Sequence, residues 1–450
     1  MATVLAQFGG QTVENRGMAT LLARTIAVRP VILAAALAGI VAAPAAAVPP
    51  PLEPPAPAPL PAPDPPEPET PAPAQPTAKR TVFVFSGRGW GHGIGMSQYG
   101  ARGRALAGWT TGRILRHYYR GTALKRVPGR RIKVLLHTSV ARGEVTSDGP
   151  WRVVTEGAGR RARNLRPGTV YRVVVRGERV EVLGPGGGRV AAARSSLRFE
   201  PRGRSILTIR RPGGLPYRGW LRFRRRGNLT DVINAVPLTQ YLQGVVPREM
   251  PSAWGDDAPA ALRAQAIAAR SYALATRRRS GAFDVYTDTR SQVYGGLLAE
   301  DPRTNAAVRA TRRVVIVHRG QVIPAFFFST SGGRTENNEN VWAGQARPYL
   351  RSVPDRFDRI SPLHRWPDRP AFTPEQLGRS LGLGEAVTAL RVIERGRSPR
   401  VKKALVVARS GRRVTLTGAQ MKARLGLRET WFSVSRRRVT PAVAKELLAG

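Results

Sequence analysis

Glu249 stands between Pro247 and Pro251, directly ahead of a long alanine-rich stretch. A single carboxyl in a proline-stiffened segment can act as a general acid and then a general base. It can equally be a loop glutamate paired with Arg248. In the alanine-rich stretch Arg263 and Arg270 are seven residues apart, and so are Gln265 and Tyr272. On a helix each pair shares a flank. Two arginines on a largely buried helix each need an anion, either a substrate carboxylate or a buried Asp or Glu. An arginine beside Glu249 would keep it ionised, whereas a general acid at neutral pH needs a raised pKa. The arginines are therefore expected on substrate.

Two further clusters carry polar groups. Residues 87–95 place glycine at every second position around His92. The spacing matches neither a dinucleotide fingerprint nor a Walker loop. His92 either meets a substrate or bonds the carbonyls of its own loop. Ser329, Ser331, Thr335 and Glu336 flank Gly332 and Gly333 and form either a ligand-facing loop or a hydrogen-bonded turn. Glu336 is the one serious candidate for a second catalytic carboxyl. Trp90, Tyr294, Trp342 and Tyr349 offer rings that stack on sugars or fill a core. With no cysteine, and five histidines lacking ligand spacing, neither a metal centre nor a cofactor is expected.

These groups must be held by more than one domain's worth of chain. The sequence has 450 residues, 73 Lys+Arg against 29 Asp+Glu, and a net charge of +44. Such a balance favours anionic partners: nucleic acid, acidic lipid or an anionic wall polymer. From Met18, Arg24 and Arg29 precede an apolar run at 31–43 and small residues at 45–47. That is the pattern of a secretory signal, with an uncleaved anchor as the alternative. Residues 48–78 are rich in proline and alanine and read as a semi-rigid spacer. The expected location is secreted, in the cell envelope. No stable membrane span is expected in the mature form, and nucleic acid is an unexpected partner there.

The folded part reads as α+β. A strand at 81–85 leads into the glycine loop. Ser97 caps a helix to about Ala107, and Thr110 or Thr111 caps a second through Tyr119. Short β-rich runs at 127–233 suggest an antiparallel accessory unit. A short helix at 238–245 and a long one from Asp256 or Asp257 to about Arg277 follow. Residues 305–311 read as a helix, and 314–317 with 321–328 as a hairpin. Two strands around Ser410 and Gly411, a helix at 419–425 and a last strand at 431–434 close the chain.

Three blocks carry a resemblance: 90–101 with 114–119, 241–251 with 263–274, and 291–295 through 328–336 with Val341, Trp342 and 348–350. They resemble the sporulation stage II protein D and amidase-enhancer family of peptidoglycan-acting proteins. The resemblance spans roughly 80–435. It implies a lytic transglycosylase with Glu249 as single acid and base. It implies glycan contacts from His92, Gln98, Arg263, Gln265, Arg270, Tyr272, Ser331, Thr335 and Glu336. The partners implied are peptidoglycan glycan strands, denuded of peptides in one version, and a cell-wall amidase in another. A non-catalytic amidase stimulator is the rival reading.

The sequence also departs from the family. Its first block precedes the others instead of closing the chain, so the two ends of the fold must be neighbours. Arg263 replaces the usual lysine. Zinc binding known in one branch needs cysteine and cannot carry over. The expected division is 1–47 signal, 48–78 linker, 79–121 glycine-rich block, 122–230 accessory β unit, 231–435 catalytic domain and 436–450 tail.

Overall fold

A computed structural model describes residues 78–449 except 158, 159 and 343. The expected signal and almost all of the linker lie outside the described residues. The fold is mixed α+β. Its first strand, Arg80–Gly87, alternates buried Val and Phe and pairs antiparallel along its whole length with Phe432–Val439. The two ends of the described chain are thus neighbours, as the displaced first block requires. The expected tail at 436–450 is corrected. The last strand runs on to Val439 because it has this partner, and a helix, Pro441–Ala449, follows it.

The glycine loop ends in Met96–Ser97, which pairs in parallel with Phe327–Phe328. This pairing draws the first block onto the third. Ser97 then caps α1 (Gln98–Leu106), its Oγ accepting from the Gly100 N–H at 3.1 Å. Thr110 caps α2 (Thr111–Tyr118) in the same way.

The β-rich region forms a seven-stranded and a six-stranded antiparallel-rich sheet. It is not the separate accessory unit expected from 122–230. The strand Leu229–Pro237 is buried at seven consecutive positions, so it has apolar neighbours on both faces. Phe199, Val173 and Phe223 of the sheets share one core with Tyr241, Val245 and Ala269 of the following helices. Ala123–Arg126 also pairs with Val314–His318 of the helical region.

Three helices follow: α3 (Leu238–Glu249), α4 (Trp254–Asp257) and α5 (Pro259–Thr276). The helix expected at 238–245 continues to Glu249, with Pro247 inside its last turn. The long helix starts later than expected. Pro259 suits a first helical position, whereas Asp256 and Asp257 belong to the one-turn α4. Alanines let α5 pack on two sides. Ala266, Ala269 and Ala273 face the β-sheet core, while Ala261, Ala264 and Ala268 face the core around α1 and α2. Asp301 caps α6 (Pro302–Ala310).

Candidate active site

Glu249 is the last residue of α3, and its carboxyl is half-buried beside Tyr241, Tyr272 and the segment at 292–294. Two glycines bring that segment in. A Cβ on Gly244 would lie 2.7 Å from the Tyr294 ring, and the Gly295 N–H bonds the Gly244 carbonyl at 3.0 Å. With the backbones this close, the Val293 N–H points at Glu249 Oε1 across a long 3.4 Å. Burial pushes the Glu249 pKa up to about 7, and that weak hydrogen bond only partly opposes it. Arg248 is exposed and lies over Gly295, so the anticipated pair with Glu249 is not formed.

The first block reaches this carboxyl's helix directly. Gln98, at the start of α1 and buried, donates from Nε2 to the Glu249 main-chain oxygen at 2.8 Å. His92 lies behind an aromatic wall. Its ring centre is 5.0 Å from Trp342 and 6.1 Å from Phe326, and Phe326 in turn meets Tyr272 at 5.4 Å. Both imidazole nitrogens are engaged: Nδ1 accepts from the Ile94 N–H at 3.0 Å, and Nε2 donates to the Phe327 carbonyl at 3.1 Å. Burial, with Lys422 and Arg400 nearby, lowers the His92 pKa to about 3. Of the two roles the sequence offers His92, the geometry shows a neutral imidazole bracing its loop and the Phe327 carbonyl.

On α5 the two flanks part. Gln265 and Tyr272 lie on one line of the helix, and Arg263 and Arg270 lie roughly 160° around it. Tyr272 faces Phe326, and burial with Glu249 nearby raises its hydroxyl pKa to about 12. Gln265 is wholly buried, and neither end of its amide has a partner among the described residues. Arg263 is exposed. Arg270 is buried, donating to the carbonyls of Val314 at 3.1 Å and Val308 at 3.3 Å. Both anticipated anions, a substrate carboxylate and a buried acid, are replaced by main-chain oxygens. Arg270 braces α5 against α6 and the strand Val314–His318.

The third block is also turned inward. Glu336 is fully buried and accepts from the main-chain N–H groups of Asn337, Arg397 and Ser398. Asn340 and the Ser398 hydroxyl complete its shell. With so many donors it is a knot between loops, not a second catalytic acid. Ser331 Oγ caps the Gly333 N–H at 3.1 Å, and Thr335 Oγ1 accepts from the Val353 N–H at 2.9 Å. Both are buried, so neither serves as the ligand group expected of it.

Sequence reasoning overlooked the acids that lock blocks one and three together. Asp358 accepts from Ser97 Oγ at 2.7 Å and from the N–H groups of Ser331 and Gly332. Asp355 binds Arg104 and the Tyr118 hydroxyl, all buried. Both acids sit among exposed arginines, Arg356 and Arg359, which disguised them as solvated pairs. Their signal was scarcity: few acids stand among many bases.

The candidate site is thus a half-buried acid at a helix end, beside Tyr241 and Tyr272 and tied through Gln98 to the first block. Residues 226–318 match the family profile described as Stage II sporulation protein, SpoIID. Over those residues the chain is similar to that family. It is 31% identical to Stage II sporulation protein D of Bacillus subtilis over 222 residues, which is 45% of this chain and 62% of that protein. It is 38% identical to the Amidase enhancer of the same organism over 117 residues, 26% of this chain and 15% of that one. An uncharacterized protein of Brachyspira hyodysenteriae is 37% identical over 143 residues, 31% of this chain and 38% of its own length. The chain thus spans less than two thirds of each of these relatives. No solved structure matches it. Among the described residues, no helix is long and apolar enough to cross a membrane.

Proposed function

We propose that this is a cell-envelope protein that cleaves peptidoglycan glycan strands as a lytic transglycosylase, with Glu249 as its only acid and base. The observation that carries the reading is the Glu249 carboxyl: half-buried, free of arginine, and raised to about 7. Such a group is protonated often enough to deliver a proton at neutral pH and ionised often enough to take one back. It protonates the glycosidic oxygen as the bond to the anomeric carbon breaks. As a carboxylate it then accepts the proton of the same sugar's 6-hydroxyl, which closes on the anomeric carbon to give a 1,6-anhydro end. Hydrolysis by water needs a second carboxylate across the bond. Glu336 is unsuited to that part, because its oxygens are already filled. Gln98 and Tyr272 shape the wall beside the acid.

The test is a digest of purified, peptide-free glycan strands read by mass spectrometry. Wild type should release anhydro-ended fragments, lighter than reducing ends by one water. Glu249→Gln should fold and release none, since acid–base help is worth ~10²–10⁴ in rate. Reducing ends from wild type would overturn the one-carboxyl scheme. The likeness to a relative named Amidase enhancer supports a second reading, in which the chain holds glycan and stimulates an amidase. No release by wild type, with an added amidase accelerated equally by wild type and Glu249→Gln, would favour it.

A further inference from the structure

Three cavities open on the β-sheet side of the molecule and share their walls around Arg131. The largest, about 790 Å3, also takes in Arg204, Trp220 and Pro237. A second, about 440 Å3, adds Arg130, Lys133 and the run Arg277, Arg278 and Arg279. A third, about 260 Å3, continues past Pro237 to Arg312 and Arg313. Arg131 lines all three, and Arg130, Trp220 and Pro237 each line two, so the cavities adjoin as a trough around Arg131.

The strand register explains the convergence. Arg131 and Lys133 point the same way from one strand, opposite Pro237 and Ala235. The Asp284 N–H bonds the Lys133 carbonyl at 2.8 Å, which lays the loop after α5 alongside.

In this trough bases far outnumber acids: Glu200 and Asp284 line it, and of its arginines Arg198 and Arg218 are paired with glutamates. Among the described residues, none of the nine basic side chains named above is ion-paired. Of the two acids in its walls, only Glu200 is ion-paired among the described residues. Glu200 pairs with Arg152 and Arg198, and Asp284 accepts from the Lys133 main-chain N–H. Burial lowers the Arg277 pKa, Arg130 and Arg279 add to that, and Asp284 opposes it. Cations gathered in a concave surface with little counter-charge repel one another until an anion arrives.

We infer that the trough binds a linear polyphosphodiester with a slim, non-aromatic backbone. Its concave shape suits a flexible strand better than a flat lipid surface. Arginine meets phosphate oxygens with paired hydrogen bonds. The aromatic rings in and beside the trough already carry arginines. Guanidiniums of Arg198 and Arg222 cover Trp220 at 5.3 and 5.2 Å, and Arg278 covers Phe283 at 4.7 Å. Trp220 is the one ring lining these cavities, so stacking can contribute little beside nine bases, and charge is the main selector of the ligand. The site is separate from Glu249 and does not rest on the glycan-cleaving reading.

The test is the binding of fluorescent poly(glycerol phosphate) to the purified full chain, with single-stranded DNA and anionic phospholipid vesicles in parallel. Affinity should fall steeply with salt. The triple change Arg277→Gln, Arg278→Gln and Arg279→Gln should weaken binding about tenfold or more at 0.1 M salt. A control triple, Arg436→Gln, Arg437→Gln and Arg438→Gln, removes equal charge from the last strand and should have little effect. Because Arg277 also donates to the Leu274 carbonyl, the exposed pair Arg204→Gln and Arg312→Gln serves as a second variant and should weaken binding as well. Equal losses from the trough and control triples would reduce the effect to bulk charge and overturn the site. Tighter binding of DNA or of vesicles than of poly(glycerol phosphate) would overturn the ligand class.

Discussion

Near pH 7 Glu249 is protonated about half of the time, because the folded protein removes water from its carboxyl and supplies only one distant N–H in return. That has a stability cost with a definite sign. The folded-state pKa lies above the unfolded one, so the benefit of the protonated form is complete below pH 4 and is lost as pH rises through 7. Glu249→Gln should therefore melt higher than wild type at pH 8 by about 1–3 kcal/mol of stability, with the gap closing toward pH 4. Thermal melts across that range check it. Turnover should move with the same group. The rate should decline above pH 7 with the loss of one proton, and the decline should vanish from any residual activity of Glu249→Gln. A flat stability difference would mean that the carboxyl is better solvated than its setting indicates.

At the scale of elements, Arg270 of α5 is bonded into the fold, whereas Arg263 is exposed. Arg270→Ala strips donors from two buried carbonyls and opens a void between α5 and α6, so it should cost about 3 kcal/mol or more. Chemical denaturation measures this. Glycan turnover per folded molecule should be unchanged at a temperature where the variant is still folded. A selective loss of turnover on strands with free carboxylates would return Arg270 to the substrate. The elements themselves were largely legible. The Ser97 and Thr110 caps, the alanine helix and the final β-β-α-β run follow from local propensity and capping. The Gln265 and Tyr272 flank was also readable, because helix periodicity is local. Partners were not readable. Nothing near Arg270 in sequence announces the carbonyls of Val308 and Val314, and nothing near Glu336 announces Ser398. The β unit was cut off wrongly for the same reason: its continuity with α3 and α5 lies in a strand buried on both faces, which a run of apolar residues alone does not reveal.

For the whole molecule, the pairing of the first strand with the last ties the glycine-rich loop to the far end of the chain. Truncation after Glu429 removes the last strand and terminal helix, exposing Phe83 and Phe85. Such a chain should aggregate or resist folding, whereas removing only Pro441–Ala449 should be tolerated with a modest loss of stability. Circular dichroism and gel filtration of the two truncations decide this. Completing the fold also requires a contact between residues at nearly maximal separation along the sequence, and such contacts form slowly. Until the last strand arrives, the first has no full-length neighbour, and the loop before Gln98 is anchored only from its far side, by the pairing of Met96–Ser97 with Phe327–Phe328 and by Asp358 on Ser97. The joining of the two ends should therefore come late in folding, after the helices around Glu249 have formed from contacts closer in sequence.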